Sequence, residues 1–191
     1  TPAMENDLVL PKTPGSLRQL SVLREPAREE QLLRLHPTEQ QKIGQLAHLV
    51  LSRNSEVNEL AACLQRMQME GSINSAQLEQ VKAYVMEVFE QDQLGKWLSG
   101  TYKVLNEKSI LLPGGAVRRP DKILAGEQET ILLDFKFTQE SNPSHARQLK
   151  EYRELLQQMG FPAVQAFVYY GYNKSLVPLH ALPHQQGKLF G

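Results

Sequence analysis

Two acids and a lysine give this chain its clearest chance of chemistry. Asp121 follows Arg119 and Pro120, while Asp134 and Lys136 lie in an apolar run. Side chains alternate faces along a strand, so Asp134 and Lys136 point the same way. With a turn-like stretch between, Asp121 meets them across a hairpin, and two carboxylates converge beside an ammonium. Such a set can hold a divalent metal and orient a water, which is the equipment for metal-assisted phosphodiester hydrolysis. An Asp-x-Lys alone is weak evidence, because many strands carry that pair as a surface ion pair. The context raises its value. Ile131, Leu132 and Leu133 precede Asp134, and Phe137 follows Lys136. A strand this apolar is expected to be central, and charges there are costly unless paired or bound to a metal.

Other residues agree, each with an ordinary reading beside the functional one. Glu107 ends a strand-like segment and adds a third acid, although a lone strand-end glutamate is usually just solvated. Gln148 and Tyr152 are four apart, on one face of a predicted helix, and can reach a phosphate or a nucleotide. Tyr152 equally fits that helix's core stripe. Gly44 and His48 are also four apart, on an early helix. The glycine lets that helix approach a sheet closely, and His48 then projects an imidazole towards the metal. A lone histidine on an amphipathic helix is more often structural. Arg118, Arg119 and Lys122 form a basic patch for phosphate contact, or a solvated surface.

The elements that must position these residues follow from periodicity and punctuation. Residues 1–36 hold Pro2, Pro11, Pro14 and Pro26 with many charges, and read as linker or loosely packed helix. Ile43, Leu46, Ala47 and Val50 recur at helical spacing over 39–52. A second helix over 57–70 stops at Gly71. Asn74 or Ser75 caps a third, whose stripe is Leu78, Val81, Val85, Val88 and Phe89. The pattern then changes to short strands over 101–107, 109–112, 116–124 and 130–137. A helix over 144–159 and a β-rich strand over 163–170 follow. The order predicts an N-terminal helical portion (37–98), a sheet core (99–172) and a C-terminal tail (173–191). The architecture expected is α/β, a mixed sheet flanked by helices.

Composition narrows the classes. The chain has 191 residues and 41% hydrophobic content, enough for one domain with a core. Its 21 basic and 21 acidic residues cancel, unlike the basic balance of most free-standing DNA binders. Any contact with DNA must use a local patch, or rely on another part of a larger protein. The single cysteine, Cys63, excludes an intrachain disulfide and a four-cysteine iron–sulfur site. No stretch is long and apolar enough to span a membrane and no signal peptide is visible, so an intracellular, cytoplasmic setting is expected. The opening residues Thr1, Pro2, Ala3 and Met4 read as the start of a piece cut from a longer polypeptide.

Taken in order, these residues resemble the RecB-type nuclease domain of the PD-(D/E)XK superfamily, found in bacterial helicase–nucleases. Gly44 and His48 match the family's Gly-x-x-x-His, and Glu107 its acid before the core hairpin. Arg119, Pro120 and Asp121 match Arg-Pro-Asp, and Asp134 with Lys136 matches Asp-x-Lys. Gln148 and Tyr152 match Gln-x-x-x-Tyr. The resemblance covers roughly residues 40–172. One departure is clear: several relatives carry four cysteines for an iron–sulfur cluster, which this chain cannot.

The resemblance implies a restriction-endonuclease-like fold and a Mg²⁺- or Mn²⁺-dependent deoxyribonuclease. By it, Asp121 and Asp134 ligate the metal, helped by His48 and the Phe135 carbonyl. Asp121, Asp134, Lys136 and Glu107 form the catalytic set. Lys136 orients the water, and Gln148, Tyr152, Arg118 and Arg119 meet DNA. The implied setting is double-strand-break repair, with an attached helicase motor or a partner helicase–nuclease subunit delivering the strand. Two alternatives stay open: a non-catalytic DNA-binding or interaction module that keeps the fold, and a stand-alone phage-type exonuclease.

Overall fold

Capping chemistry sets where the helices begin. The computed structural model describes residues 8–9, 38–54, 56–138 and 141–183. Helix α1 (Glu39–Arg53) starts where the Thr38 side chain accepts from the Gln41 backbone N–H and Gln41 reaches back in return. Helix α2 (Val57–Met69) follows, and α3 (Ser75–Glu90) is capped by Asn74. A short helix, α4 (Asp92–Leu98), comes next. Helix α5 (Pro143–Gln158) has Asn142 at its cap and proline at its first position, where no backbone donor is needed.

The strands form two sheets. Five of them, in the order β2 (Lys103–Asn106), β5 (Lys122–Ala125), β6 (Thr130–Lys136), β7 (Val164–Tyr170) and β8 (Ser175–Pro178), make the main sheet. Its β6–β7 pair is parallel and the others antiparallel. The parallel pair needs a crossover, and α5 supplies it. A small sheet joins β1 (Leu8–Val9), β3 (Ile110–Leu111) and β4 (Val117–Arg118). This is the mixed sheet with flanking helices that the sequence predicts.

Alternation along the central strands separates two cores. Leu124, Ile131, Leu133, Phe135 and Tyr169 pack with Ile43, Ala47, Val50 and the other buried residues of α1–α4. Ile123, Leu132, Ala166, Val168 and Tyr170 pack with Ala146, Leu149, Tyr152 and Leu156 of α5. The molecule is therefore layered helix, sheet, helix, with β6 buried in the middle.

Three expectations change. The single strand expected over 116–124 is two: β4 lies in the small sheet and β5 in the main one, with Arg119, Pro120 and Asp121 between. Proline has no backbone N–H to give a ladder, so the pairing breaks there. The segment after residue 172, expected as a tail, supplies edge strand β8 and a short 3₁₀ turn, Leu179–Ala181. Helix α4 was not anticipated. Of the expected N-terminal linker only Leu8–Val9 is described, pairing in parallel with β3; the rest of 1–36, and 184–191 of the expected tail, lie outside the described residues.

Candidate active site

The site forms where the β5–β6 ladder runs out. The last paired residues are Lys122 and Leu133, so the same register sets Asp121 level with Asp134. Released by the proline break, the Asp121 carboxylate turns to β6 and accepts the Phe135 backbone N–H at 2.8 Å. A strand residue's N–H and C=O face the same edge, so the Phe135 carbonyl also points to the Asp121 side. The Lys136 carbonyl goes the other way and accepts from Gly171 N at 2.9 Å.

His48 reaches this place because α1 lies very close to the sheet. A Cβ on Gly44 would sit 2.7 Å from Phe137 Cβ and 2.8 Å from the Tyr172 hydroxyl, so only glycine fits without displacing them. One turn later, His48 Nε2 lies 3.0 Å from Asp121 Oδ2. That hydrogen bond raises the imidazole pKa against the opposing effect of burial. Burial works to raise the Asp121 pKa, but His48, the Phe135 N–H and Lys136 together hold it below the ordinary carboxylate value.

Asp134 and Lys136 do share a face. Lys136 Nζ lies 2.6 Å from Asp134 Oδ2. Asp134 is 3% exposed, and its other oxygen, Oδ1, is buried with no hydrogen-bond partner among the described residues. Burial, joined by repulsion from Asp121, pushes the Asp134 carboxyl up to about 6 despite the pull of Lys136 and His48. Burial also disfavours the Lys136 cation, yet Asp134 and Asp121 outweigh it and raise that pKa.

The remaining predicted residues divide. Gln148 Nε2 donates to the Tyr152 hydroxyl at 3.0 Å, and that hydroxyl donates to the Arg119 carbonyl at 3.4 Å. Tyr152 is 6% exposed, so it braces the turn before Asp121 from the α5 side while Gln148 stays more open. Glu107 meets Asp121 through its backbone, its N–H donating to the Asp121 carbonyl at 3.0 Å, while its carboxylate turns away and accepts from Ser52 Oγ at 3.3 Å and Arg53 Nε at 3.2 Å. Arg118 Nε lies 2.6 Å from Glu151 Oε1, and Arg119 donates to Ser109 Oγ at 3.3 Å. The expected three-residue basic patch loses Lys122, which is 1% exposed and points under α1. Alternation explains this: Lys122 opens β5 on the face shared with Leu124, opposite to Asp121.

Two neighbours escaped the sequence reading. His145 Nδ1 lies 2.9 Å from the Tyr170 hydroxyl, and Tyr170 is the β7 partner of Lys136. Burial, then Lys136, lowers the His145 pKa. The available signal was spacing, since His145 precedes Gln148 by three residues on the same helix.

Among the described residues no group of three His, Cys, Asp or Glu side chains forms a ready metal cage. In this arrangement each acid is instead matched to a cation-forming neighbour. The donor chemistry nonetheless fits a divalent metal: two carboxylates, one with an orphaned buried oxygen, beside an imidazole and a strand-end carbonyl. Neither a scan against protein-family models nor a search of curated proteins finds a match to this chain.

Proposed function

We propose that this chain is a metal-dependent DNA nuclease domain of the kind its motifs resemble. The observation that carries the reading is the Asp134 carboxylate, buried at the end of the central strand with Lys136 on Oδ2 and, among the described residues, no partner on Oδ1. A buried, unpaired polar atom is costly, and a cation bound at this carboxylate would satisfy it. Asp121, set level with Asp134 and oriented by His48, is the second half of that place.

In this reading Asp121 and Asp134 hold Mg²⁺ or Mn²⁺, with His48 and the Phe135 carbonyl as further ligands. Bound there, such an ion would supply polarisation of the scissile phosphate and a water of lowered pKa. Lys136, whose ammonium is held at Asp134, orients the attacking water and offsets charge developing on the phosphate. In the metal-free protein the same His48 nitrogen keeps Asp121 ionised and aimed. Tyr152 braces the turn that carries Asp121, and Gln148, one turn earlier, is the more open of the two for the DNA strand. Mn²⁺ is expected to support activity well, because an imidazole ligand suits it better than Mg²⁺. An attached helicase motor that feeds DNA to the site, and a role in break repair, follow from the resemblance and the balanced charge.

The test is hydrolysis of linear single- and double-stranded DNA in Mn²⁺ or Mg²⁺, with a chelator control and the Asp121→Ala variant. Metal-dependent degradation by the wild type, lost in Asp121→Ala, is expected. DNA binding without hydrolysis in either metal would overturn the nuclease reading in favour of a non-catalytic module.

A further inference from the structure

Lys122 is a buried cation that the proposed reaction leaves without a role. It is 1% exposed and directly follows Asp121. Alternation turns the two side chains to opposite faces, Asp121 towards Asp134 and Lys122 towards α1. There Nζ donates to the Asn54 carbonyl at 2.8 Å and to Asn106 Oδ1. Asn106 Nδ2 in turn donates to the Arg53 carbonyl at 3.1 Å. Glu107, next along the chain, takes Ser52 and Arg53. It holds a left-handed backbone, φ 45°, which is uncommon for a residue with a side chain.

The C-terminal end of a helix exposes carbonyls without partners and carries partial negative charge. At α1 the Lys122 ammonium of β5 and the Asn106 amide of β2 donate to those carbonyls, while the Glu107 carboxylate, just after β2, takes the Ser52 and Arg53 side chains. Burial pushes the Lys122 pKa down to about 8 against the pull of Glu59, Asp121 and Glu107. The arrangement thus keeps a cation where burial opposes one.

We propose that Lys122, with Asn106 and Glu107, is a positioning device that locks the end of α1 to the sheet and so sets His48 on Asp121. The consequence for metal binding rests on the nuclease reading. The His48–Asp121 contact joins a helix to a strand end, and Lys122 lies beside one partner in the chain while bonding the helix of the other. Apolar packing under α1 is non-directional, whereas these hydrogen bonds specify where the helix sits along its axis.

The experiment uses the full chain, with Lys122→Met, Asn106→Ala and a distant core control, Leu64→Ala. Mn²⁺ affinity is measured by calorimetry without DNA, KM for DNA by steady-state kinetics, and the metal-free variants are crystallised. Lys122→Met is expected to weaken Mn²⁺ by about tenfold, as loss of a residue that supports a metal ligand does, with KM within about twofold. Its His48–Asp121 contact should open beyond hydrogen-bond reach. Leu64→Ala should lose thermal stability and keep both wild-type Mn²⁺ affinity and the contact. Asn106→Ala carries the same expectations, in smaller degree, where Lys122→Met does not fold. An intact contact with wild-type Mn²⁺ affinity in the variant overturns the proposal, as does an equal loss in Leu64→Ala. A wild type that binds no Mn²⁺ defeats the nuclease reading separately, and the crystallographic contact then decides the positioning role.

Discussion

Lys122 on β5 and Asp134 on β6 are both buried charges on neighbouring strands, yet the protein treats them oppositely. The Lys122 ammonium is bonded to the Asn54 carbonyl and Asn106 under the end of α1. Asp134, on the opposite face, keeps one oxygen matched to Lys136 and one with no partner among the described residues. A satisfied buried charge holds elements together, because removing either partner leaves the other stranded. An unsatisfied one adds cost to the free protein, and such sites persist where a ligand or a reaction uses them. On the proposed reading the α1 end is framework, and the β6 end is the place for chemistry.

The largest expected effect comes from the chemical side. Lys136→Ala should lower kcat by about 10²–10³-fold, the usual loss for one group stabilising transition-state charge, with an unchanged circular dichroism spectrum. Wild-type-like cleavage would move the chemistry elsewhere. On the framework side, Gly44→Ala forces a methyl against Phe137 Cβ, an atom with little freedom to move. It should cost about 1–3 kcal/mol in denaturant melts and weaken Mn²⁺ binding by shifting His48.

Asp134→Asn sharpens the contrast by its sign. The unfolded chain gives up this proton near the ordinary value of 3.8, and the folded protein near 6. The folded form thus holds the extra proton between those values, and wild-type stability falls as pH climbs through about 6. The amide removes that loss, so the metal-free variant should be more stable at pH 8 by on the order of 1 kcal/mol. Lost pairing with Lys136 keeps the gain small, and the difference should narrow below pH 4 in melts across the range. The smallest effect belongs to Arg118→Ala. Its pair with Glu151 is partly exposed, so about 1 kcal/mol or less is expected in thermal melts.

Local chemistry in the sequence was legible where one residue's neighbours decide its structure. Asn74 announces a helix start and Gly71 a helix stop, and the apolar surroundings of Asp134 and Lys136 announce a central strand. What could not be read depended on partners distant in the chain. Pro120 breaks a run that looks like one strand, and alternation along β5 turns Lys122 under α1 instead of into a basic patch. Pro178 makes β8 look like tail, yet β8 is an edge strand, where a missing donor is tolerated. Helix α4 spans seven residues with Gly95 inside, too short for a periodic signal. The orphaned Asp134 oxygen is likewise a fact of packing that no spacing reveals.

The most direct measurement is DNA hydrolysis by Asp134→Asn in Mn²⁺, read beside its melting temperature at pH 8. The account predicts a protein more stable than the wild type that does not cleave, since the same carboxylate that burdens the fold supports the reaction. A stabilised variant that still cleaves linear DNA at the wild-type rate would contradict it.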